Sequence, residues 1–189
     1  MKHMTKELFW ELLEPEHKRA EGFCRKLCGS RDDGDDLYQE ALLAAYQGIE
    51  SLRNKLAFKS WFYRIIITRH RNMVRQPWWK RRTTLTARHG DIKNFDPSEQ
   101  FTTRRWLLRA FEALKAEERA LIVLFEIEGW TVTELAGLLA KPEGTIKARL
   151  SRSRQKMRKA IIAYLPKRDK KSQTSEAGYA LSKSTAINE

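Results

Sequence analysis

From Gly144 to Ala160 the chain carries seven cationic side chains and no acid: Lys147, Arg149, Arg152, Arg154, Lys156, Arg158 and Lys159. A second run, Arg64, Arg69, Arg71 and Arg75, is likewise free of acids. Side chains of this type bind phosphate. A helix face that only meets water usually mixes signs, because opposite charges at i,i+4 support a helix and like charges weaken it. Single-sign runs therefore point to a polyanion, nucleic acid ahead of an anionic membrane surface. In the first run Ile146, Leu150, Ser153, Met157 and Ile161 recur at intervals of four, three, four and four, one buried stripe on a helix that is otherwise basic. In the second, Arg64, Thr68, Arg71 and Arg75 stand at i, i+4, i+7 and i+11 and share a face.

Asp32, Asp33, Asp35 and Asp36, followed by Gln39 and Glu40, form the opposite kind of cluster. Paired carboxylates can hold magnesium for phosphoryl chemistry. No downstream acidic motif or oriented base accompanies them, so a nuclease or transferase is the weaker reading, and no metal or cofactor is expected. Acids here also complement the positive start of a helix. Cys24 and Cys28 lie one turn apart, with His17 seven residues before Cys24, but a fourth zinc ligand is missing. They read as small buried hydrophobes, with redox sensing as the alternative.

The chain has 189 residues, 37 Lys+Arg against 24 Asp+Glu, a net charge of +13 and a pI of about 9.9. Residues 1–76 carry +3 of that surplus, 77–103 +2, 104–165 +6 and 166–189 +2. No apolar stretch approaches the roughly 18 residues of a membrane helix, so no membrane insertion is expected. The first residues lack the apolar core and cleavage site of a secretory signal. Two cysteines make no disulfide framework, and the expected location is cytoplasmic. Nine glycines and five prolines leave little material for hairpins, which favours an all-α chain.

Residues 5–28 read as helix, with Pro15 marking a break or a second start. A turn over Gly29–Gly34 follows. The next helix is expected from about Asp33–Asp35, with Leu37, Ala41, Ala44, Ala45, Gly48 and Leu52 on its buried stripe. A third helix runs from about Phe58 to Arg75 and is closed by Pro77. Residues 77–103 lack periodicity and read as a flexible linker. Helical pattern resumes near Thr103, with Leu107, Leu108, Phe111 and Leu114 as one stripe and Leu121, Ile122, Leu124 and Phe125 as the next. Residues 166–189 are polar and read as a disordered tail. The expected architecture is two small helical domains, 5–76 and 104–165.

Gly129-Trp130 ends one helix, and Thr131-Val-Thr-Glu134 is a capping box that opens another. Its buried face is Val132, Leu135, Ala136 and Leu139. After a break at Lys141-Pro-Glu-Gly144 the basic helix begins. A short helix, a tight turn and a longer basic helix describe a helix-turn-helix. In that geometry the first helix, with Thr131 and Thr133, braces against phosphates. Glu143, Thr145, Lys147 and Arg149 lie near base edges in the major groove. Arg152, Arg154 and Lys156 are better placed for phosphates. An ordinary helical hairpin leaves the charge on the second helix unexplained.

Leu114-Lys-Ala-Glu-Glu-Arg119, Leu124-Phe-Glu-Ile-Glu-Gly129-Trp-Thr-Val-Thr-Glu-Leu-Ala136 and Gly144-Thr-Ile-Lys-Ala-Arg-Leu150-Ser-Arg-Ser-Arg154 resemble region 4 of a bacterial RNA polymerase sigma factor, in the version of the extracytoplasmic-function (ECF) group. Asp33-Gly-Asp-Asp36-Leu-Tyr-Gln39-Glu40-Ala resembles region 2.1–2.2, and Phe58-Lys-Ser-Trp61-Phe-Tyr-Arg-Ile65 resembles region 2.3–2.4. Together these blocks span about residues 5–165. The chain departs from the family at Lys115 and Ala116, where Pro is usual, at Thr68, where Asn is usual, and at Ile65-Ile66, usually Ile-Ala.

The resemblance implies a non-enzymatic initiation factor that lends promoter specificity to RNA polymerase. Asp35, Asp36, Gln39, Glu40 and Leu43 would dock on the beta-prime clamp helices. Region 4 would read the minus-35 element and bind the beta flap. The loop from Ser51 to Phe58, with Arg53, Asn54 and Lys55 as edge readers, would capture an unstacked minus-10 base, at a cost that stacking and edge contacts must offset. Arg64, Thr68, Arg71 and Arg75 would contact the same element. Trp61, Phe62 and Tyr63 are aromatics suited to stacking, although Trp61 and Phe62 are expected in the core. The linker, with Trp78, Trp79 and Arg81, would thread toward the active-site cleft or RNA exit channel. An anti-sigma factor is the expected inhibitory partner. The rival reading is a stand-alone helix-turn-helix regulator that binds duplex DNA unaided; it leaves the Asp36–Glu40 block and the Arg64–Arg75 face without a role.

Overall fold

The structure is a computed structural model that describes residues 6–79 and 107–164. The expected linker beyond residue 79 and the expected tail over 166–189 lie outside the described residues. The first unit comprises α1 (Lys6–Leu13), α2 (His17–Cys28), α3 (Arg31–Gly48), two 3-10 turns (Ile49–Ser51 and Lys55–Ala57) and α4 (Phe58–Met73). The second comprises α5 (107–112), α6 (Ala116–Ile122), a π-helical stretch (Val123–Ile127), α7 (Val132–Leu139) and α8 (Glu143–Tyr164). No strand occurs among the described residues.

Helix ends follow local chemistry. The pattern over 5–28 breaks around Pro15, whose ring clashes with the preceding turn. α2 closes on Gly29, whose φ of 73° is the left-handed conformation that glycine adopts without a Cβ penalty. Ser30 then caps α3, its Oγ accepting the Asp33 N–H at 3.4 Å. α3 therefore starts at Arg31, earlier than the acids alone suggest, and Gly34 falls inside it. The reason for glycine there is proximity: a Cβ on Gly34 would lie 2.4 Å from the Arg25 Cα. α2 and α3 cross almost backbone to backbone, and fully buried Ala41 and Ala45 continue the small-residue seam.

Phe9, Phe23, Leu27, Leu37, Phe62 and Ile66 fill the first unit; Leu124, Leu135, Leu138 and Ile146 fill the second. The two cores are continuous. Tyr63 on α4 meets Trp130 with ring centroids 4.9 Å apart, and α7 packs on α4. The two units are thus pressed together. Two expected stripes are corrected. Leu107 and Leu108 are exposed, and the buried residues in and after α5 are Ala110, Phe111 and Leu114. On α7 the expected Leu135 is fully buried and Val132, Ala136 and Leu139 pack half-buried on the core, but Leu138, outside the expected face, is fully buried too, because α7 is covered by α4 as well as by α8. The α8 stripe holds: Ile146, Leu150 and Ser153 are buried, and Met157 and Ile161 are half-buried.

Arg119 ties the units. Its half-buried guanidinium donates to Leu27 O at 2.9 Å and to Phe111 O at 2.8 Å, carbonyls at the ends of α2 and α5 that no intrahelical N–H four residues on satisfies; Phe111 O also accepts the Leu114 N–H at 3.1 Å. His70 on α4 is also buried, and burial, reinforced by the Arg119 charge, pushes its pKa down to about 4. An unfolded His titrates near 6.5. Between those values the unfolded chain binds more protons than the folded one. Stability contributed by neutral His70 is therefore full above pH 6.5 and is lost as pH falls toward 4, by about 3 kcal/mol. Denaturant unfolding at pH 7 and pH 4 is expected to show that loss in the wild type and a smaller loss, by that amount, in His70→Phe.

Candidate nucleic-acid interface

The capping box forms as its residue types require. Thr131 Oγ1 accepts the Glu134 N–H at 3.1 Å, and Glu134 Oε2 accepts the Thr131 N–H at 2.7 Å. The Thr131 amide and hydroxyl hold the Glu134 carboxyl below its ordinary range. α7 ends on Ala140 at φ 50°, and Lys141 N–H returns to Ala136 O. Thr133 Oγ1 donates to Glu143 Oε1 at 2.7 Å, which braces the two helices against each other. Thr131, Thr133 and Glu143 are therefore engaged in shaping the motif.

Along α8, Lys147, Arg152 and Arg154 are exposed, while Thr145, Arg149 and Lys156 are half-buried. The basic face is less bare than the sequence suggests. Arg154 pairs with Glu126 at 2.7 Å, Lys156 with Glu118 at 2.6 Å and Arg149 with Glu117 at 3.8 Å. These acids sit on α6 and the π-helical stretch, which is why a count along α8 misses them. Lys147 and Arg152 meet no carboxylate among the described residues.

The α4 face is divided. Arg64 donates to Leu138 O at 2.9 Å and Gly137 O at 3.1 Å, at the end of α7. Arg71 donates to Glu117 Oε1 at 3.2 Å. Arg71 and Arg149, one from each candidate DNA face, therefore share a single carboxylate. Among the described residues Thr68 bonds only back to Arg64 O and stays exposed, and Arg75 lies past the helix end. In the loop, Asn54 Oδ1 caps the turn by accepting the Leu56 N–H at 2.9 Å, while Arg53 and Lys55 are exposed. Trp61 is half-buried against Phe58, and Phe62 and Tyr63 are core.

The acidic block separates into two kinds of residue. Asp35 is tied to Arg25 at 2.6 Å, and this hydrogen bond holds its carboxyl below the ordinary range. Asp36, Gln39, Glu40 and Leu43 stand exposed along one strip of α3, Leu43 at 58 %. Cys24 is buried, and burial pushes the half-buried Cys28 thiol up to about 12. His17 shares a hydrogen bond with the Tyr38 hydroxyl. No group of three or more His, Cys, Asp or Glu suited to a metal occurs among the described residues.

A sigma-70 region 2 model matches residues 12–80, and a sigma-70 region 4 model matches residues 104–157. The chain belongs to the sigma-70 family. Sigma factors are non-enzymatic transcription initiation factors, and the relatives place this one in the ECF group. It is 28% identical over 158 residues to the ECF RNA polymerase sigma factor SigM of Mycobacterium tuberculosis, across 83% of this chain and 78% of that one. It is 29% identical over 135 residues to the ECF RNA polymerase sigma-E factor of Escherichia coli, across 65% of this chain and 71% of that one. Two solved structures share the fold of this sigma factor. RpoE in complex with the anti-sigma factor NepR from Bartonella quintana superposes with a TM-score of 0.55 at 21% identity, over 86% of this chain and all of that one. CnrH in complex with the cytosolic domain of CnrY gives 0.57 at 20% identity, over 85% and 91%. The region 2 match of this sigma factor thus holds α2 to α4, and the region 4 match holds α5 to α7 and most of α8. No helix among its described residues is long and apolar enough to cross a membrane.

Proposed function

We propose that this ECF sigma factor docks on the beta-prime clamp helices of RNA polymerase core through Asp36, Gln39, Glu40 and Leu43. The domains act as 5–76, 104–165 and the connecting linker. Region 4 reads the minus-35 element through Thr145, Lys147, Arg149 and Arg152 and engages the beta flap. Region 2 opens the minus-10 element through Arg53, Lys55, Thr68 and Arg75, joined by Arg64 and Arg71 once α7 and α6 release them. The work is cytoplasmic, and an anti-sigma factor that covers these surfaces is the expected inhibitor.

The observation that carries this reading is the exposed acid-and-amide strip on α3 in the same chain as a basic helix-turn-helix. A stand-alone DNA-binding regulator has no use for that strip. The two promoter elements are about 25 base pairs apart, about 85 Å at 3.4 Å per pair. Arg71 and Arg149 touch one carboxylate, so the units must part to read both elements. The 27 residues from 80 to 106 reach about 90 Å when extended, enough for that separation.

The test is affinity for sigma-free core. The double variant Asp36→Lys, Glu40→Lys should bind core at least tenfold more weakly, because it sets cations against a basic partner. Arg152→Glu should leave core affinity within twofold. The opposite pattern would place the docking face on region 4 and overturn the assignment.

A further inference from the structure

Between the C-terminal half of α4 and helices α6 and α8 lies a cleft of about 950 Å³. Seven Lys and Arg side chains line it, against two carboxylates. Both carboxylates are engaged, Glu117 with Arg71 and Arg149 and Glu118 with Lys156. Arg75 and Arg152, also in the lining, meet no carboxylate among the described residues. Glu117 reaches its two arginines at 3.2 and 3.8 Å, longer than the roughly 2.8 Å of a well-made charge-assisted bond. The cleft holds more positive charge than its own acids satisfy.

A second observation points the same way. Six buried side-chain nitrogen or oxygen atoms among the described residues have no hydrogen-bond partner, and four of them belong to this lining: both ring nitrogens of His70, Nε of Arg71 and Nε of Arg119. Neutral His70 offers one N–H and one lone pair, so with the two arginine Nε–H groups the lining holds three unmatched buried donors; such donors are rarely left unmatched, and a cluster of them calls for an acceptor. His70 is 1 % exposed, so an acceptor reaches it only from within the cleft.

We propose that this cleft binds a short phosphate chain, either as free inorganic polyphosphate or as the tail of a nucleotide. Its oxygens accept from His70 and from the Nε groups of Arg71 and Arg119, while Arg75 and Arg152 supply neutralising charge. The volume suits a nucleoside triphosphate or smaller. A bound chain bridges α4 to α6 and α8, so it holds the two units closed and competes with promoter phosphates. The binding itself does not depend on the proposed function, and its test needs no polymerase.

Calorimetric titration of the full chain at fixed ionic strength, with tripolyphosphate and with ATP as probes, should show one molecule bound per chain. His70→Phe, Arg75→Gln and Arg152→Gln should each weaken binding at least tenfold. Lys147→Gln and Lys159→Gln, which remove the same charge outside the cleft, should change it less than twofold. Equal affinity for both probes assigns recognition to the phosphate chain; tighter ATP adds a nucleoside contact. Absence of binding, several weak equivalents, or equal losses in all five variants would mean diffuse charge and would overturn the site. If His70→Phe loses helicity by circular dichroism, the surface variants Arg75→Gln and Arg152→Gln decide.

Discussion

Gly34→Ala should destabilise the protein by at least about 3 kcal/mol. Propensity argues the other way, since alanine is better than glycine inside a helix by up to about 1 kcal/mol. Packing decides the sign. The added Cβ would sit 2.4 Å from the Arg25 Cα and 2.7 Å from its nitrogen, and backbone atoms cannot swing aside as a side chain can. α2 and α3 would have to separate along the seam that also positions Asp36 and Glu40. Gly137→Ala supplies the contrast: it lies in α7 with nothing within 4 Å of a new Cβ. There propensity acts alone, and the change should stabilise by about 0.5–1 kcal/mol. Denaturant unfolding of the two variants should move in opposite directions.

Charge reversal on α8 should give the second large effect. Arg152→Glu removes a phosphate contact and adds a repulsion, so promoter affinity of the holoenzyme should fall at least tenfold. The log–log salt dependence of binding should flatten by about 1. Arg149→Glu should lose promoter binding comparably but also act on the closed arrangement. It sets a carboxylate against Glu117, which Arg71 shares. Solution scattering should therefore find the Arg149→Glu chain more expanded than the wild type and the Arg152→Glu chain unchanged. Identical profiles for both variants would contradict the role given to Glu117.

The elements that act locally were legible in the sequence. Pro15 broke its helix, the Thr131–Glu134 box capped α7, and the 4-3-4-4 stripe of α8 pointed inward as its spacing required. What the sequence hid is what depends on a neighbour. Gly34 reads as a turn residue until α2 is laid beside it. The cations of α8 look unpaired until Glu117, Glu118 and Glu126 arrive from other helices. Arg119 sits in an unremarkable stretch, and its role comes from two carbonyls in different units. Leu107 and Leu108 satisfied a periodicity but not the side on which α5 is covered. The acidic block showed the reverse: Asp35 and Asp36 look alike in sequence, yet one is consumed by Arg25 and the other left open to solvent.

The most direct test of the sigma assignment is in vitro transcription with sigma-free RNA polymerase core on genomic DNA from the bacterium that encodes this chain, with transcript starts mapped. Discrete starts that appear only when the chain is added, each preceded by shared minus-35 and minus-10 elements, are the predicted result. Tight binding of the chain to duplex DNA without core, together with no chain-dependent transcripts, would contradict it.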